Sequence, residues 1–306
     1  MSDPKPPAPK ADALARQLKD SLAHRRPRPW KLLLATLAGS VILLVLLAWW
    51  LYPEPRPALL QIIALDVVCP RDETPYVRAQ LFAPPEDNEQ RRLRGYTVVF
   101  HEPPLLLAPD VHRREVVAKT DERGQAAVEW PVDGAITEYK VRHIDAEQRR
   151  GSRDDGRIFV WPKKAPLLIV DADETLIADK LDKQASDTLT KAANEGWHIV
   201  YLSLTSAQPL EFRKARGWIE EHSKLPKGPV LGRKHFLGAE TIEQARHDVL
   251  NQLQSQFQGS MRAVVRSAES ARVCQEIDVR AIVVGGAATP AQVHAPTWAD
   301  VPVKLK

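Results

Sequence analysis

A run of 20 residues without a charge, Leu32–Leu51, limits what this chain can form more than any other stretch of its sequence. As a helix rising 1.5 Å per residue, such a run spans roughly 30 Å, the thickness of the hydrocarbon core of a bilayer. Trp30 lies at one end, and Trp49, Trp50 and Tyr52 lie at the other. Aromatic side chains at both ends are typical of the two membrane interfaces.

Two other interpretations of this run are a buried core helix and a cleaved signal peptide. A core helix rarely stays apolar on every face for such a length. A signal peptide begins nearer the terminus and ends in a small-residue cleavage site, which does not follow Trp50. We therefore predict a transmembrane helix at 30–52, with the lipid bilayer as the partner of residues 32–51.

Basic residues are concentrated on the N-terminal side of this run. Only Arg56 and Arg71 follow it at a comparable distance. Those that precede it are Arg16, Lys19, Arg25, Arg26, Arg28 and Lys31. The positive-inside rule then predicts a single-pass membrane protein with a cytoplasmic N-terminus and extracytoplasmic C-terminal domains, which are periplasmic if the organism is Gram-negative.

Shifts in composition divide the chain into five predicted segments. They are a basic cytoplasmic tail at 1–29, the transmembrane helix at 30–52, a linker at 53–59, a β-sandwich at 60–161 and an α/β domain at 164–306. The net charge is +4 and the basic residues are scattered, so we expect no nucleic-acid partner. The two cysteines are too few for a disulfide framework or a metal-ligand set.

The segment 60–161 shows short runs with strand-like alternation, separated by turn-rich stretches. The predicted strands are Gln61–Val68, Tyr76–Phe82, Tyr96–His101, Glu115–Lys119, Gln125–Trp130, Glu138–Ile144 and Arg157–Trp161. Seven short strands at this spacing favour an all-β sandwich. The stretch Thr120–Ala126 resembles the TDxxGxA hairpin of bacterial immunoglobulin-like and transthyretin-like modules, which implies a module of that kind.

From residue 164 onward the pattern changes to alternating strands and helices. The predicted strands are Leu167–Val170, His198–Leu204, Ala263–Val265 and Ala281–Val284, and the predicted helices are Lys183–Glu195, Leu210–Glu221, Thr241–Phe257 and Ala268–Ile277. This order is typical of an α/β domain with a mostly parallel sheet. The predicted fold class is thus one transmembrane helix, an all-β sandwich and an α/β domain of Rossmannoid type.

Polar residues follow the apolar strand Leu167–Val170 directly, in the order Asp171-Ala172-Asp173-Glu174-Thr175. They fall at the carboxyl edge of the predicted sheet, where α/β proteins bind ligands. Asp171 there can attack phosphorus as a covalent nucleophile. Asp173 can act as a general acid or base, and Thr175 can hold the loop by hydrogen bonding.

This strand-DADET pattern resembles the first motif, DxDxT, of the haloacid dehalogenase-like (HAD) phosphatase superfamily, and the resemblance covers roughly 164–305. The resemblance implies a Ser or Thr after the next strand that holds a phosphate oxygen; Ser203, Thr205 and Ser206 all remain candidates. It also implies a cation that neutralises the aspartate and the phosphate, which is Arg246 or Lys234.

The fourth family motif departs from the pattern. In the best register the magnesium-binding acids of the family fall on Arg266 and Ser270, neither of which binds that metal. Glu269 lies nearby and is the substitute that we consider, with Asp171 and Asp173 as the other metal ligands. Magnesium prefers carboxylate oxygens and offsets phosphate charge, so this change puts metal binding and turnover in question.

Two functional hypotheses follow. The first is a membrane-anchored, magnesium-dependent HAD-like phosphohydrolase that cleaves a phosphomonoester through an aspartyl-phosphate intermediate. The segment 225–231 resembles lipin-type phosphatidate phosphatases, which implies a phosphorylated lipid or another bulky phosphoester as its substrate. The second is a catalytically impaired HAD-like domain that serves as an envelope binding or scaffolding module.

Overall fold

A computed structural model describes residues 15–17, 19–20, 37–43, 60–82, 93–103, 114–132, 134–144, 152–178, 183–206, 208–233 and 240–305. The chain divides into two compact units, Met1–Pro57 and Ala58–Lys306. Of the first unit, residues 15–17, 19–20 and 37–43 are described, and all are helical. The predicted linker at 53–59 and most of the predicted tail lie outside the described residues.

The transmembrane prediction is wrong. Within the described ranges, no helix has both the length and the apolar character needed to cross a bilayer. Of the apolar run, residues 37–43 are described, and they are helical. The predicted single-pass topology, the membrane localisation and the first element of the predicted fold class are therefore wrong as well.

The second unit begins with two β-sheets. Its strands are β1 (Gln61–Leu65), β2 (Val67–Pro70), β3 (Tyr76–Phe82), β4 (Thr97–His101), β5 (Glu115–Lys119), β6 (Gln125–Glu129), β7 (Ile136–Ile144) and β8 (Arg153–Trp161). One sheet has the order β1-β3-β6 and the other β2-β8-β7-β4-β5. All of their pairings are antiparallel except β2 with β8, which is parallel. Apolar residues of both sheets share one core that includes Trp130 and Tyr139.

The strand predicted over Gln61–Val68 is two strands, because the chain changes sheets at Asp66. Asp66 is buried, and its carboxylate accepts hydrogen bonds from the main-chain N–H groups of Arg157, at 3.1 Å, and Val230, at 2.9 Å. Buried carboxylates need such donors, and these donors lie more than 90 residues away in sequence. The strand pattern alone could not show the break.

The rest of the unit alternates strands and helices around a six-stranded sheet. Its elements are β9 (Leu167–Asp171), α1 (Lys183–Asn194), β10 (His198–Leu202), α2 (Pro209–Glu221), β11 (Val230–Leu231), α3 (Ile242–Gln256), β12 (Met261–Val265), α4 (Ala268–Glu276), β13 (Arg280–Val284), β14 (Val293–Ala295) and α5 (Val301–Leu305). The order is β11-β10-β9-β12-β13-β14, and every pairing is parallel. The carboxyl ends of β9, β10 and β12 therefore meet at one edge.

The two β-sheets lie in the same compact unit as the parallel sheet and share apolar clusters with both of its faces. Ile63 and Phe82 belong to the same apolar cluster as one face of the parallel sheet. Phe159 and Trp161 belong to the cluster on the other face, and Trp161 stacks on His198 with ring centroids 4.7 Å apart. These apolar side chains would be exposed in an independent sandwich, so their burial favours a shared core.

Charged residues also cross this junction. We call Asp66, Asp154, Arg157, Arg216 and Glu220 the junction cluster. Arg216 of α2 is buried and donates two hydrogen bonds to Asp154 of β8, at 2.9 and 2.8 Å. It also donates to the carbonyl oxygen of Ala64 at 2.5 Å, so one helix is fastened to both β-sheets.

Candidate active site at the carboxyl edge of the parallel sheet

Asp171 ends the fully buried strand β9, and the chain turns immediately into a single π-helical turn, Asp173–Ile177. Two hydrogen bonds hold this turn against the strand. The Thr175 hydroxyl donates to the Asp171 carbonyl oxygen at 2.5 Å, and the Glu174 N–H donates to Asp171 Oδ1 at 3.1 Å. π-helical turns are rare and are often found at functional sites. Here the turn brings a third carboxylate, Glu174, beside the first.

Arg246 of α3 joins Asp171 to Glu174. Asp171 and Arg246 are each about 2% exposed. The guanidinium Nη2 donates to Asp171 Oδ2 and lies 3.2 Å from Glu174 Oε1. We call these three residues the edge cluster. Of the two cations that the sequence left open, Arg246 therefore reaches the aspartate, whereas Lys234 lies outside the described residues.

Burial raises the pKa of the Asp171 carboxyl to about 6, and the positive charge of Arg246 lowers it only in part. The physical cause is the loss of hydration around a nearly inaccessible carboxylate. A raised pKa close to neutrality is also a feature of catalytic acids and bases. The shift therefore fits a reactive group and a buried structural group equally well.

Glu174 is the residue that the sequence analysis missed. Its carboxylate accepts hydrogen bonds from the N–H groups of Arg266 and Ser267, at 3.2 and 3.3 Å, and from the Ser270 hydroxyl at 2.7 Å. Partial burial raises the pKa of Glu174, but the Ser270 hydrogen bond and the charge of Arg246 outweigh it and hold that pKa below its usual value. Its place three residues after Asp171, in the turn that follows β9, was the available signal.

The carboxylate of Asp173 binds the loop that follows β10. Its Oδ1 accepts from the Ser203 hydroxyl at 2.9 Å, and its Oδ2 accepts from the N–H and the hydroxyl of Thr205, at 2.9 and 2.7 Å. Ser206 instead donates to the carbonyl oxygen of Gln208 at 2.9 Å. Ser203 and Thr205 therefore both face the motif, and Ser206 makes a local turn contact.

The side chains at this edge do not fit a magnesium ion. The guanidinium of Arg246 lies between Asp171 and Glu174, two carboxylates that a magnesium ion at this edge would need as ligands. Glu269, the substitute ligand that we considered, is exposed at the start of α4. In the described part of the chain, no group of three or more His, Cys, Asp or Glu side chains is placed to hold a metal. Because magnesium prefers several oxygen ligands, we assign no magnesium-dependent step to this site.

The arrangement also limits what Asp171 and Asp173 can do. Both oxygens of Asp171 accept hydrogen bonds, and the side chain is almost fully covered. An attack on phosphorus needs an oxygen that the substrate can approach in line. Both oxygens of Asp173 also accept hydrogen bonds, so its carboxylate is occupied by Ser203 and Thr205 rather than directed at a leaving group.

A cavity of about 190 Å³ lies at the same edge, beyond the ends of β12 and β13. Its lining includes Thr175, Gln184, Arg266, Gly285, Thr297 and Trp298. Among the described residues that line it, Arg266 is the one with a charge. Gly286 lies against this loop so closely that a Cβ atom there would be 1.9 Å from the Arg266 carbonyl oxygen. A larger residue at 286 would therefore displace the segment that carries Arg266.

No protein-family model matches the sequence, and no curated protein matches it. Among solved structures, the D,D-heptose 1,7-bisphosphate phosphatase of B. bronchiseptica, complexed with magnesium and phosphate, is 11% identical with a TM-score of 0.35, covering 46% of this chain and 97% of its own. The fibronectin(III)-like modules of Clostridium thermocellum CbhA are 13% identical with a TM-score of 0.22, covering 33% and 98%. The former is a weak likeness to a HAD-family phosphatase, and neither likeness establishes a family for this chain.

Proposed function

We propose that the α/β part of this chain is a HAD-like domain that has lost phosphoryl transfer and binds an anionic group, such as a phosphomonoester, without cleaving it. The observation that carries the proposal is the pair of residues at positions 266 and 270. The resembling family has metal-binding acids there, whereas this chain has Arg266 and Ser270, and the Ser270 hydroxyl donates to Glu174 at 2.7 Å. The strand-DADET order supports the HAD-like part of the proposal.

Binding of an anion is supported by the charge beside the cavity. Position 266, where the resembling family has a metal-binding acid, carries a guanidinium, which pairs well with phosphate oxygens. The cavity volume of about 190 Å³ admits a small phosphoester rather than a large substrate. Thr175 and Thr297 line the same cavity.

Hydrolysis tests the first half of the proposal. The chain and its Asp171→Asn variant are assayed with p-nitrophenyl phosphate, with and without magnesium. We expect equal, background rates in all four reactions, because the oxygens of Asp171 and Asp173 are all engaged in hydrogen bonds. A magnesium-dependent rate that disappears in the Asp171→Asn variant would overturn the proposal.

Calorimetric titration with inorganic phosphate and with phenyl phosphate tests the second half. We expect saturable binding that weakens at least about tenfold in Arg266→Gln, since one charge-assisted contact is worth roughly 1.5–3 kcal/mol. Arg272→Gln is the matched control, because Arg272 is an exposed arginine of the adjacent helix α4. Equal affinities of the two variants, or no saturable heat in the unmodified chain, would contradict an anion site at Arg266.

The phosphohydrolase hypothesis is kept as a second candidate because of one observation. Asp171 and Asp173 both stand at the carboxyl edge of a parallel sheet, immediately after a buried strand. In an active form, Asp171 would attack the phosphorus and Asp173 would transfer the proton. Arg246 would neutralise both Asp171 and the substrate phosphate in that form, and the hydrolysis assay above decides between the two candidates.

A further inference from the structure

Strand β5 is an edge strand of the five-stranded sheet. It pairs with β4 along its whole length, and within the described ranges no further strand lies beyond it in the sheet order. An edge strand offers unpaired N–H and C=O groups that can pair with another chain. Its sequence, Glu115-Val116-Val117-Ala118-Lys119, has opposite charges at its two ends.

The direction of the free groups follows from two hydrogen bonds that flank the strand. The Thr120 N–H donates to the Tyr96 carbonyl oxygen at 3.0 Å, and the Glu102 N–H donates to the Arg114 carbonyl oxygen at 3.3 Å. In an antiparallel pair, residues alternate between facing their partner strand and facing away. The main-chain groups of the even-numbered residues 114–120 therefore face β4, and those of 115, 117 and 119 point away from the sheet.

The same three residues carry the exposed side chains of β5. Glu115, Val117 and Lys119 are exposed, whereas Val116 and Ala118 are partly covered. Val117 is 58% exposed. Outward main-chain groups and outward side chains thus belong to the same residues, with the valine in the middle and one charge two residues away on each side.

We propose that a second copy of this chain pairs with β5 in antiparallel orientation, with a two-fold axis at Val117. In that register Val117 faces Val117 of the second copy, and Glu115 faces Lys119 of the second copy at both ends. All three facing pairs are of the hydrogen-bonded type, which gives about six main-chain hydrogen bonds between the copies. The contact is isologous and closes at a dimer.

The charges favour a second copy over an unrelated extended peptide. An edge whose charges had one sign would repel itself, which is how many proteins protect their edge strands. Here the pattern is self-complementary, because reversing the strand about Val117 exchanges the acid for the base. Within the chain, Glu115 pairs with Arg142 at 3.1 Å and Lys119 donates to Thr97 at 2.6 Å. Both charged side chains remain exposed, so each can also contact the opposite charge of the second copy.

Disulfide trapping of Val117→Cys tests the register in the full chain. Facing residues of a hydrogen-bonded pair have Cα atoms about 5.5 Å apart, which a disulfide can bridge. The native Cys69 and Cys274 are both buried, so the introduced thiol is the accessible one. With diamide as the oxidant, we expect a covalent dimer to form at least about tenfold faster than in Ile136→Cys, a control on β7 that is 46% exposed. Equal rates in the two variants would overturn the proposal.

Charge reversal then distinguishes this pairing from random collision. In the Val117→Cys background, Glu115→Lys and Lys119→Glu each place like charges opposite one another, and we expect each to slow trapping at least about fivefold. Mixing the two variants restores both opposite-charge pairs in the mixed dimer. We expect the mixture to recover to within about twofold of the parent, and a mixture as slow as either variant alone would overturn the proposal, as would single reversals without effect.

Discussion

The edge cluster and the junction cluster are both groups of buried acids and arginines, yet their ion pairs are arranged differently. In the junction cluster, Arg216 makes a two-point contact with Asp154 at 2.9 and 2.8 Å. In the edge cluster, one guanidinium serves two carboxylates, Asp171 and Glu174. Arg216 Nε also lies 3.6 Å from Glu220, so each arginine contacts two acids. The junction cluster, however, contains a second arginine, Arg157, whereas Arg246 is the one arginine of the edge cluster.

The comparison shows that a buried aspartate at a sheet edge is not by itself a catalytic group. Asp66 in the junction cluster is as inaccessible as Asp171, and its bonds join a β-strand to the parallel sheet. Asp171 and Glu174 likewise join β9 to α3 and to the start of α4. The junction cluster contains two arginines and the edge cluster contains one, so replacing one arginine leaves a cation in the junction cluster but none in the edge cluster. The following predictions depend on that difference.

The largest expected effect is that of Arg246→Met. It leaves Asp171 and Glu174 facing each other without a cation, and breaking such a buried pair costs about 3–5 kcal/mol. Urea denaturation measures the free energy of unfolding. The double variant with Asp171→Asn should lose less than Arg246→Met alone, because one of the unpaired charges is gone. Wild-type stability in Arg246→Met would show that the edge cluster is not a structural crosslink.

Arg216→Met should cost less, about 2–3 kcal/mol by the same measurement. Asp154 keeps a hydrogen bond from the Ala64 N–H at 2.9 Å, and its side chain is 13% exposed, so water can compensate in part. Lys214→Met, an exposed position on the same helix, serves as the control and should change stability little. If Arg216→Met cost more than Arg246→Met, the proposed difference between the two clusters would be wrong.

Asp173→Asn should destabilise by about 1–2 kcal/mol. The new amide group can accept at one oxygen only, so either the Ser203 hydroxyl or the Thr205 groups lose their acceptor. Thermal unfolding monitored by circular dichroism is the measurement. Asp187→Asn, at an exposed position of α1, is the control. An unchanged transition would place Asp173 outside the structural network and favour a catalytic role.

The smallest expected effect is the pH dependence contributed by Asp171. Its pKa is raised from 3.8 to about 6, so the folded state binds a proton that the unfolded state has released. The stability from this group is complete below pH 3.8 and is lost as the pH rises through about 6. Between pH 5 and pH 7 the wild type should therefore lose about 1 kcal/mol relative to Asp171→Asn, measured by urea denaturation at both values.

The stability contributed by Glu174 changes with pH in the opposite direction to that of Asp171, and it does so in a lower pH range. Its lowered pKa means that its contribution is present above its ordinary pKa and is lost only as the pH falls further. It therefore does not mask the change expected for Asp171 between pH 5 and 7. Parallel pH profiles of the wild type and Asp171→Asn in that range would contradict the raised pKa of Asp171.

Local patterns in the sequence were enough to place most strands and helices, because side-chain alternation and helical periodicity are properties of neighbouring residues. Tyr76–Phe82 and Glu115–Lys119 have the same bounds in the structure as in the prediction. The apolar run at 32–51 shows the limit of such patterns. Hydropathy favoured a membrane helix there, but none of the described helices is long and apolar enough to cross a membrane.

The sequence by itself determined that two carboxylates follow a buried strand, and hence that they meet the carboxyl edge of a parallel sheet. Only the tertiary structure decided what those carboxylates do. Arg246 lies 75 residues from Asp171, and the Ser270 hydroxyl lies 96 residues from Glu174. Hydrogen bonds over such separations depend on how α3 and α4 pack against the sheet, which no local period encodes. The DADET motif, and Arg246 as one of two candidate cations, could therefore be found in the sequence, but the bridge from Arg246 to Glu174 could not.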